Sequence, residues 1–317
     1  RFKARKTPVS INANDIIDRR RLRKKVSFWR ILTFIILGIA LLAMIAFGAN
    51  KAGLSSAGKD HIARVSITGV ITNDKPMLDL LEKLKDDEKV KAVVLNISSP
   101  GGSTVGGEAM YEAVRELAET KPVTTSVGTL AASAGYMIAS ASDHIVARRS
   151  SIVGSIGVLF QYADASELLD KIGVKVKSVK SSPLKAEPNP FNPASDEAVE
   201  MIDRVIRDSY QWFVDIVVER RDMPEFKVLQ LADGSIFTGN QSLENGLIDA
   251  VGGEKVAVAW LKKEKGIDEK LKVVERKPKR PTDSIFDNPA AIAKFARIFG
   301  IEIGNSDAKA LEDTLRE

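Results

Sequence analysis

Residues Lys91 to Ser103, read K-A-V-V-L-N-I-S-S-P-G-G-S, decide how this chain is built. Lys91 to Ile97 is a short, mostly apolar run of the kind that forms a buried strand. A proline and two glycines break it at Ser98 to Ser103, and a helix follows to Glu119 with Met110, Val114 and Leu117 inward. Working outward, Arg64 to Ile71 alternates as a strand. Pro76 to Lys85 carries Met77, Leu80, Leu81 and Leu84 at helical spacing, which completes a β-α-β unit. Val123 to Val127 supplies a further strand and leads into a helix, with strands expected near Ile145 and from Ile156 to Phe160. This alternation predicts an α/β fold of parallel strands flanked by helices. Ser195 to Arg221 reads as a long amphipathic helix whose buried face is Ile202, Val205, Ile206, Phe213, Ile216 and Val217. Pro224 to Ala232 and Gln241 to Asn245 read as turns or short helices that end the domain, and no internal repeat is present.

Composition narrows the chemistry. The 317 residues contain no cysteine, which excludes disulfides, thiolate metal sites and a cysteine nucleophile, and only two histidines, His61 and His144. The formal net charge of +5 does not point to nucleic acid, because residues 1–30 hold eleven Lys or Arg against Asp15 and Asp18 and the remainder is slightly acidic. After that basic tail, Ile31 to Asn50 is uncharged and apolar almost throughout. At about 1.5 Å per residue such a run spans a hydrocarbon core. The expectation is a transmembrane helix at 31–50 with a cytosolic tail at 1–30. A linker at 51–60 would join it to an extracytoplasmic domain at 61–275, ahead of a Pro-rich basic tail with an amphipathic segment at 276–317.

The candidate centre is Val127 to Ser140, V-G-T-L-A-A-S-A-G-Y-M-I-A-S. Ser133 sits among residues too small to crowd a substrate carbonyl, at a strand-to-helix turn whose N–H groups suit an oxyanion. Read alone, A-A-S-A-G serves equally well as a helix-packing seam. A serine nucleophile needs a base. His144 opens the strand beyond the serine helix and His61 has no evident carboxylate to orient it, so neither imidazole is well placed. A lysine base must be neutral, which burial or a neighbouring cation would favour. Among Lys171, Lys175, Lys177, Lys180 and Lys185, the last has the small, apolar and proline-rich surroundings S-S-P-L-K-A-E-P-N-P-F, although Glu187 close by favours the charged form. Ser155, in V-G-S-I-G-V, reads as a partner for the amine or as a turn serine between glycines. The N–H groups of Gly101 or Gly102, and of Ala134, are the candidate oxyanion donors. A phosphate loop competes for the same glycines but lacks the following Gly-Lys-Ser/Thr.

Taken in order, S-P-G-G-S, A-S-A-G-Y, V-G-S-I-G-V, K-S-S-P-L-K-A and L-A-D-G-S-I-F-T-G-N-Q-S-L-E-N-G-L-I-D behind a membrane segment resemble the signal peptide peptidase A family of Ser/Lys-dyad serine proteases, over about Ala63 to Gly253. The resemblance implies a Clp protease/crotonase-like superhelix of β-α-β units. It further implies Ser133 as nucleophile, Lys185 as general base, Ser155 as the lysine's helper, and Gly101 or Gly102 with Ala134 as oxyanion hole. No metal or other cofactor is implied. Implied partners are remnant signal peptides and other hydrophobic peptides at the membrane, and further copies of the chain in a homo-oligomeric ring whose lysine reaches a neighbour's serine. The chain departs from the commoner K-S-G-x-x-K pattern at Ser182-Pro183. A crotonase-type acyl-CoA enzyme and a non-catalytic membrane scaffold are the alternative readings of the same fold.

Overall fold

A computed structural model of the chain describes residues 29–39 and 59–280. The chain divides into two units between Lys59 and Asp60. In the first, residues 29–39 are helical (α1) and expose Trp29, Ile31, Phe34, Ile35 and Leu37. Among the described residues no helix is long and apolar enough to cross a membrane. Most of the expected transmembrane run, and nearly all of the tail at 276–317, lie outside the described residues.

The second unit is a mixed α/β domain around one sheet, in the spatial order β6 (Ile236–Thr238), β5 (Ile152–Gly154), β3 (Val123–Ala132), β2 (Val90–Ser99), β1 (His61–Thr68), β8 (Val273–Glu275), with β4 (His144–Ala147) pairing β3 and β7 (Ala250–Val251) pairing β4. Its first three strands are β1 (His61–Thr68), β2 (Val90–Ser99) and β3 (Val123–Ala132), all parallel. Helices α2 (Lys75–Asp86) and α3 (Thr104–Thr120) make the crossovers, and parallel neighbours require such connections. Met77, Leu80, Leu81 and Leu84 of α2 and Met110, Val114 and Leu117 of α3 are buried as their spacing predicts. They pack with Val65, Val93, Leu95, Ile97 and Val127 in the main core. Ser103 caps α3 by accepting from the Gly106 N–H at 3.1 Å, a contribution of about 1 kcal/mol.

Strand β3 changes partner along its length. Thr124 to Val127 pair with β4 (His144–Ala147), whereas Leu130 to Ala132 pair with β5 (Ile152–Gly154). Between the two stretches, the Ser151 hydroxyl donates to the Gly128 carbonyl at 2.5 Å and satisfies an oxygen that the change of partner leaves free. Beyond Ser133 comes α4 (Ala134–Ser140), every residue of which is buried. Tyr136, fully buried, donates from its hydroxyl to the Leu247 carbonyl at 2.9 Å.

Several elements differ from expectation. Residues 156–160 form no strand; β5 precedes them, and β6 (Ile236–Thr238) takes its edge in the one antiparallel pairing. From there to residue 194 the chain is irregular apart from the short helix α5 (Ser166–Lys171), and Leu159, Phe160, Leu168, Ile172 and Leu184 are exposed. Helix α6 (Asp196–Arg221) has the expected length, but apart from Ala198 only its second half is buried. Phe213, Ile216 and Val217 are buried, while Val205 is 61% exposed and Ile202 and Ile206 are half-buried. The periodicity extends along the whole helix; the chain's own core meets only its last turns. The two expected turns are the helices α6's successors α7 (Glu225–Leu231) and α8 (Gly239–Asn245). Not foreseen are α9 (Glu254–Glu264), β7 (Ala250–Val251) and β8 (Val273–Glu275). Leu261 of α9 covers Ile62, Ala92 and Val94 on the second face of the sheet.

Candidate active site

Ser133 stands between the last residue of β3 and the first of α4, with φ 53° and ψ −125°. A side chain in that region costs roughly 1–3 kcal/mol and persists only where neighbours enforce it. Three hydrogen bonds do so. The Ser133 N–H donates to the Gly154 carbonyl at 2.9 Å, and the Ser133 carbonyl accepts from Tyr136 N–H at 2.9 Å and Met137 N–H at 3.0 Å. The first extends the pairing of Ala132 with Gly154, so β5 holds the serine backbone from one side and α4 from the other. The hydroxyl has no hydrogen-bond partner among the described residues, and the residue is half-buried.

The glycine loop after β2 reaches the same spot. Gly101 has φ +107°, and a Cβ built on it would lie 2.8 Å from Ser133 Cβ and 3.2 Å from its Oγ. Only glycine allows that approach. At Gly102 a Cβ would fall 1.8 Å from the Ile71 carbonyl oxygen, because the loop pairs with Ile71 through Ile71 N–H to Gly101 O at 2.8 Å and Ser103 N–H to Ile71 O at 2.9 Å. The two candidate donors are not equivalent. The Gly101 N–H is taken by Ser99 Oγ at 3.1 Å, whereas among the described residues the N–H groups of Gly102 and Ala134 have no partner.

Ser155 follows Gly154 and is therefore the register neighbour of Ser133, with φ 51° and its own N–H donating to Ser235 O at 2.7 Å. Thus Ser133, Ser155, Gly101, Gly102 and Ala134 come together. Lys185 makes no hydrogen bond with any of them. It is exposed on the 157–194 arm, and its Nζ has neither a hydrogen bond nor an ion pair among the described residues. Glu187, which counted against a neutral Lys185, is engaged elsewhere: it pairs with Lys180 and accepts from Asn189 at 2.9 Å. The Lys180 bond holds the Glu187 carboxyl below its ordinary range.

Both histidines lie at the far end of the sheet. His144 opens β4 opposite Thr124, nine residues before Ser133, which is about 30 Å of strand. Its ring stacks on Trp260 at 4.5 Å and 4°, with Asp249 3.7 Å from Nδ1, and burial lowers its pKa. His61, at the start of β1, lies 3.2 Å from Arg276 Nη1. Neither imidazole reaches the serine, as the sequence spacing implied for His144.

A strained serine at a parallel strand's end, facing a glycine loop, defines the class as a serine hydrolase of Clp protease-like α/β fold. Comparison with known proteins makes the class specific. The family model for peptidase family S49 matches residues 115–268, and that for Clp protease matches residues 64–156. A protein of Methanocaldococcus jannaschii named as a protease is 33% identical over 75% of this chain and 82% of its own length. A Synechocystis protein so named is 37% identical over 66% of this chain and 76% of its own. The chloroplastic serine protease SPPA of Arabidopsis thaliana is 34% identical over 73% of this chain and 36% of its own length. The chain belongs to peptidase family S49, the signal peptide peptidase and protease 4 group, and is a serine peptidase. The acyl-CoA enzyme and scaffold alternatives give way to that membership.

Proposed function

We propose that the chain is a membrane-anchored endopeptidase that cleaves remnant signal peptides and other hydrophobic peptides by a Ser133/Lys185 dyad. The observation that carries this reading is the enforced positive φ of Ser133 against Gly101, with a hydroxyl free to react. Neutral Lys185 takes the hydroxyl proton, and Ser133 Oγ attacks the peptide carbonyl. The resulting oxyanion is held by the N–H groups of Gly102 and Ala134; losing one such donor costs about 100- to 1,000-fold in rate. The lysine ammonium then gives its proton to the leaving amine, and water repeats the sequence on the acyl-enzyme. Ser155, next to Ser133 in register, would hold the amine as it approaches.

The exposed arm supports a dyad completed between copies of the chain in a ring. It carries Lys185 together with apolar side chains that its own domain does not cover. Docking on a neighbour would bury both, and burial is what a lysine base requires. The Lys180–Glu187 pair supports the same reading, since it withdraws the nearest carboxylate. The anchor at 31–50, the cytosolic basic tail at 1–30, and a Clp protease/crotonase-like superhelix facing away from the cytosol complete the proposal.

The test is alkylphosphonate labelling and hydrolysis of a hydrophobic peptide by the detergent-solubilised protein. Ser133→Ala and Lys185→Ala should each be inactive, with no adduct at position 133 in the first and a strongly diminished one in the second. Labelling undiminished by Lys185→Ala would overturn the dyad. For the topology, protease added outside spheroplasts should digest the domain beyond residue 60; protection would overturn it.

A further inference from the structure

Ser99 closes β2 and is fully buried beside the glycine loop. Its hydroxyl donates to the Gly69 carbonyl at 2.7 Å and accepts the Gly101 N–H at 3.1 Å. The Gly101 carbonyl, 3.4 Å from the same oxygen, is already served by Ile71 N–H at 2.8 Å. On the other side, the Ser99 carbonyl lies 3.0 Å from where a Cβ on Gly135 would sit, in the first turn of α4. The hydroxyl thus ties the turn after β1 to the glycine loop, and the carbonyl of the same residue abuts the helix that follows Ser133.

We infer that Ser99 is a positioning residue: by occupying the Gly101 N–H it fixes the Pro100–Gly101 peptide, so that of the two loop glycines it is Gly102 that presents its N–H to the oxyanion, beside Ala134. The inference rests on Ser133 being the nucleophile. A hydroxyl has one proton and two acceptor lone pairs. Here the proton goes to Gly69 and a lone pair to Gly101, which defines the direction of both bonds. Without the side chain, the Gly101 N–H and the Gly69 carbonyl both lose their partner. The Pro100–Gly101 peptide, which no Cβ restrains at Gly101, is then free to rotate, and the next peptide, which carries the Gly102 N–H, is held from one side only, by Ile71 N–H on the Gly101 carbonyl. Rotation affects an interaction made with the developing oxyanion and leaves the contacts to the ground-state peptide in place.

The experiment uses the detergent-solubilised full chain with Ser99→Ala, and Ser142→Ala as a stability control. Ser142 is also buried, with its hydroxyl donating to the Ala139 carbonyl at 2.7 Å. A peptide aldehyde, which forms a tetrahedral adduct with the serine, reports the oxyanion site directly. For Ser99→Ala the expectation is about a tenfold fall in kcat with KM within about twofold, and about a tenfold weaker aldehyde. Ser142→Ala should lose similar thermal stability with kcat and aldehyde binding unchanged. The inference is overturned if Ser99→Ala keeps wild-type kcat and aldehyde affinity, or if it raises KM and weakens aldehyde and peptide alike. It is equally overturned if both variants lose activity in proportion to their stability. An aldehyde adduct absent from position 133 of the wild type would instead remove the nucleophile assignment, and this inference with it.

Discussion

Replacing Gly101 by alanine tests the site more sharply than removing the Ser133 hydroxyl, because the loss comes from geometry alone. The new Cβ would lie 2.8 Å from Ser133 Cβ, 3.1 Å from the Ala132 carbonyl oxygen and 3.2 Å from Ser133 Oγ. Carbon atoms settle at about 3.5–4.0 Å, so the two chains must part by about 0.7 Å. The backbone at φ +107° adds strain of roughly 1–3 kcal/mol for any residue with a side chain. Overpacking of this kind costs about 1–3 kcal/mol, so the domain should lose about 2–6 kcal/mol in all. At about 2–4 °C per kcal/mol, the melting midpoint should fall by about 4–24 °C. A displacement approaching 1 Å at a reacting group costs about 100-fold in rate. Gly266→Ala is the matched control: it also has positive φ, at +66°, but a Cβ there meets nothing within 4 Å. The assay compares kcat and the rate of alkylphosphonate labelling at a temperature where circular dichroism shows both variants folded. Gly101→Ala should be slowed about 100-fold and Gly266→Ala by less than about threefold. Equal rates for Gly101→Ala and the wild type would refute the argument that this loop packs against Ser133.

If the lysine is supplied by a neighbouring copy, mixing inactive Ser133→Ala with inactive Lys185→Ala should restore part of the hydrolysis; a mixture as inactive as its parts would place the lysine in the same chain as its serine. Tyr136→Phe deletes the bond to the Leu247 carbonyl inside the core and should cost about 1–2 kcal/mol, read as a lower denaturant midpoint with kcat retained. Burial lowers the His144 pKa in the folded protein, so the unfolded chain takes up the proton first as pH falls. Stability from this group is therefore full above pH about 6.5 and declines below it. His144→Asn should flatten that part of the stability curve, while an unchanged slope between pH 7 and 5 would show that the imidazole does not contribute.

The β-α-β core was legible because the signals that build it are local. Met77, Leu80, Leu81 and Leu84 recur at helical spacing, and Val93 to Ile97 is apolar enough to be recognised alone. The glycine pair was legible for the same reason, but not which glycine offers its N–H: that depends on Ser99, whose bonds reach back thirty residues to Gly69. The missed pieces are non-local. Strand β8 is three residues long and exists because Ile62 to Arg64 offer it an edge, more than two hundred positions earlier. Helix α9 carried a visible signal in Val258 and Leu261, three residues apart, but its partners Ile62 and Val94 lie far upstream. The apolar run ending at Phe160 misled in the other direction. Its composition suits a strand, yet Phe160 stays 51% exposed because β6 already pairs with β5 at that edge.

The change of partner along β3 gives the domain a mechanical seam. Thr124 to Val127 are clasped between β2 and β4, deep in the core; Leu130 to Ala132, which lead into Ser133, are clasped by β5, whose one further strand partner among the described residues is the short edge strand β6, and meet β2 only where Ala131 pairs with Ser99. The few bonds on this side can open without unzipping the other half, which makes the Ser133 end a separate opening unit. In hydrogen exchange, the amides of Leu130 to Ser133 should trade their protons well before those of Thr124 to Val127. Ser133 would then sit at the lower-stability end of a strand whose other end is among the last parts of the domain to come apart.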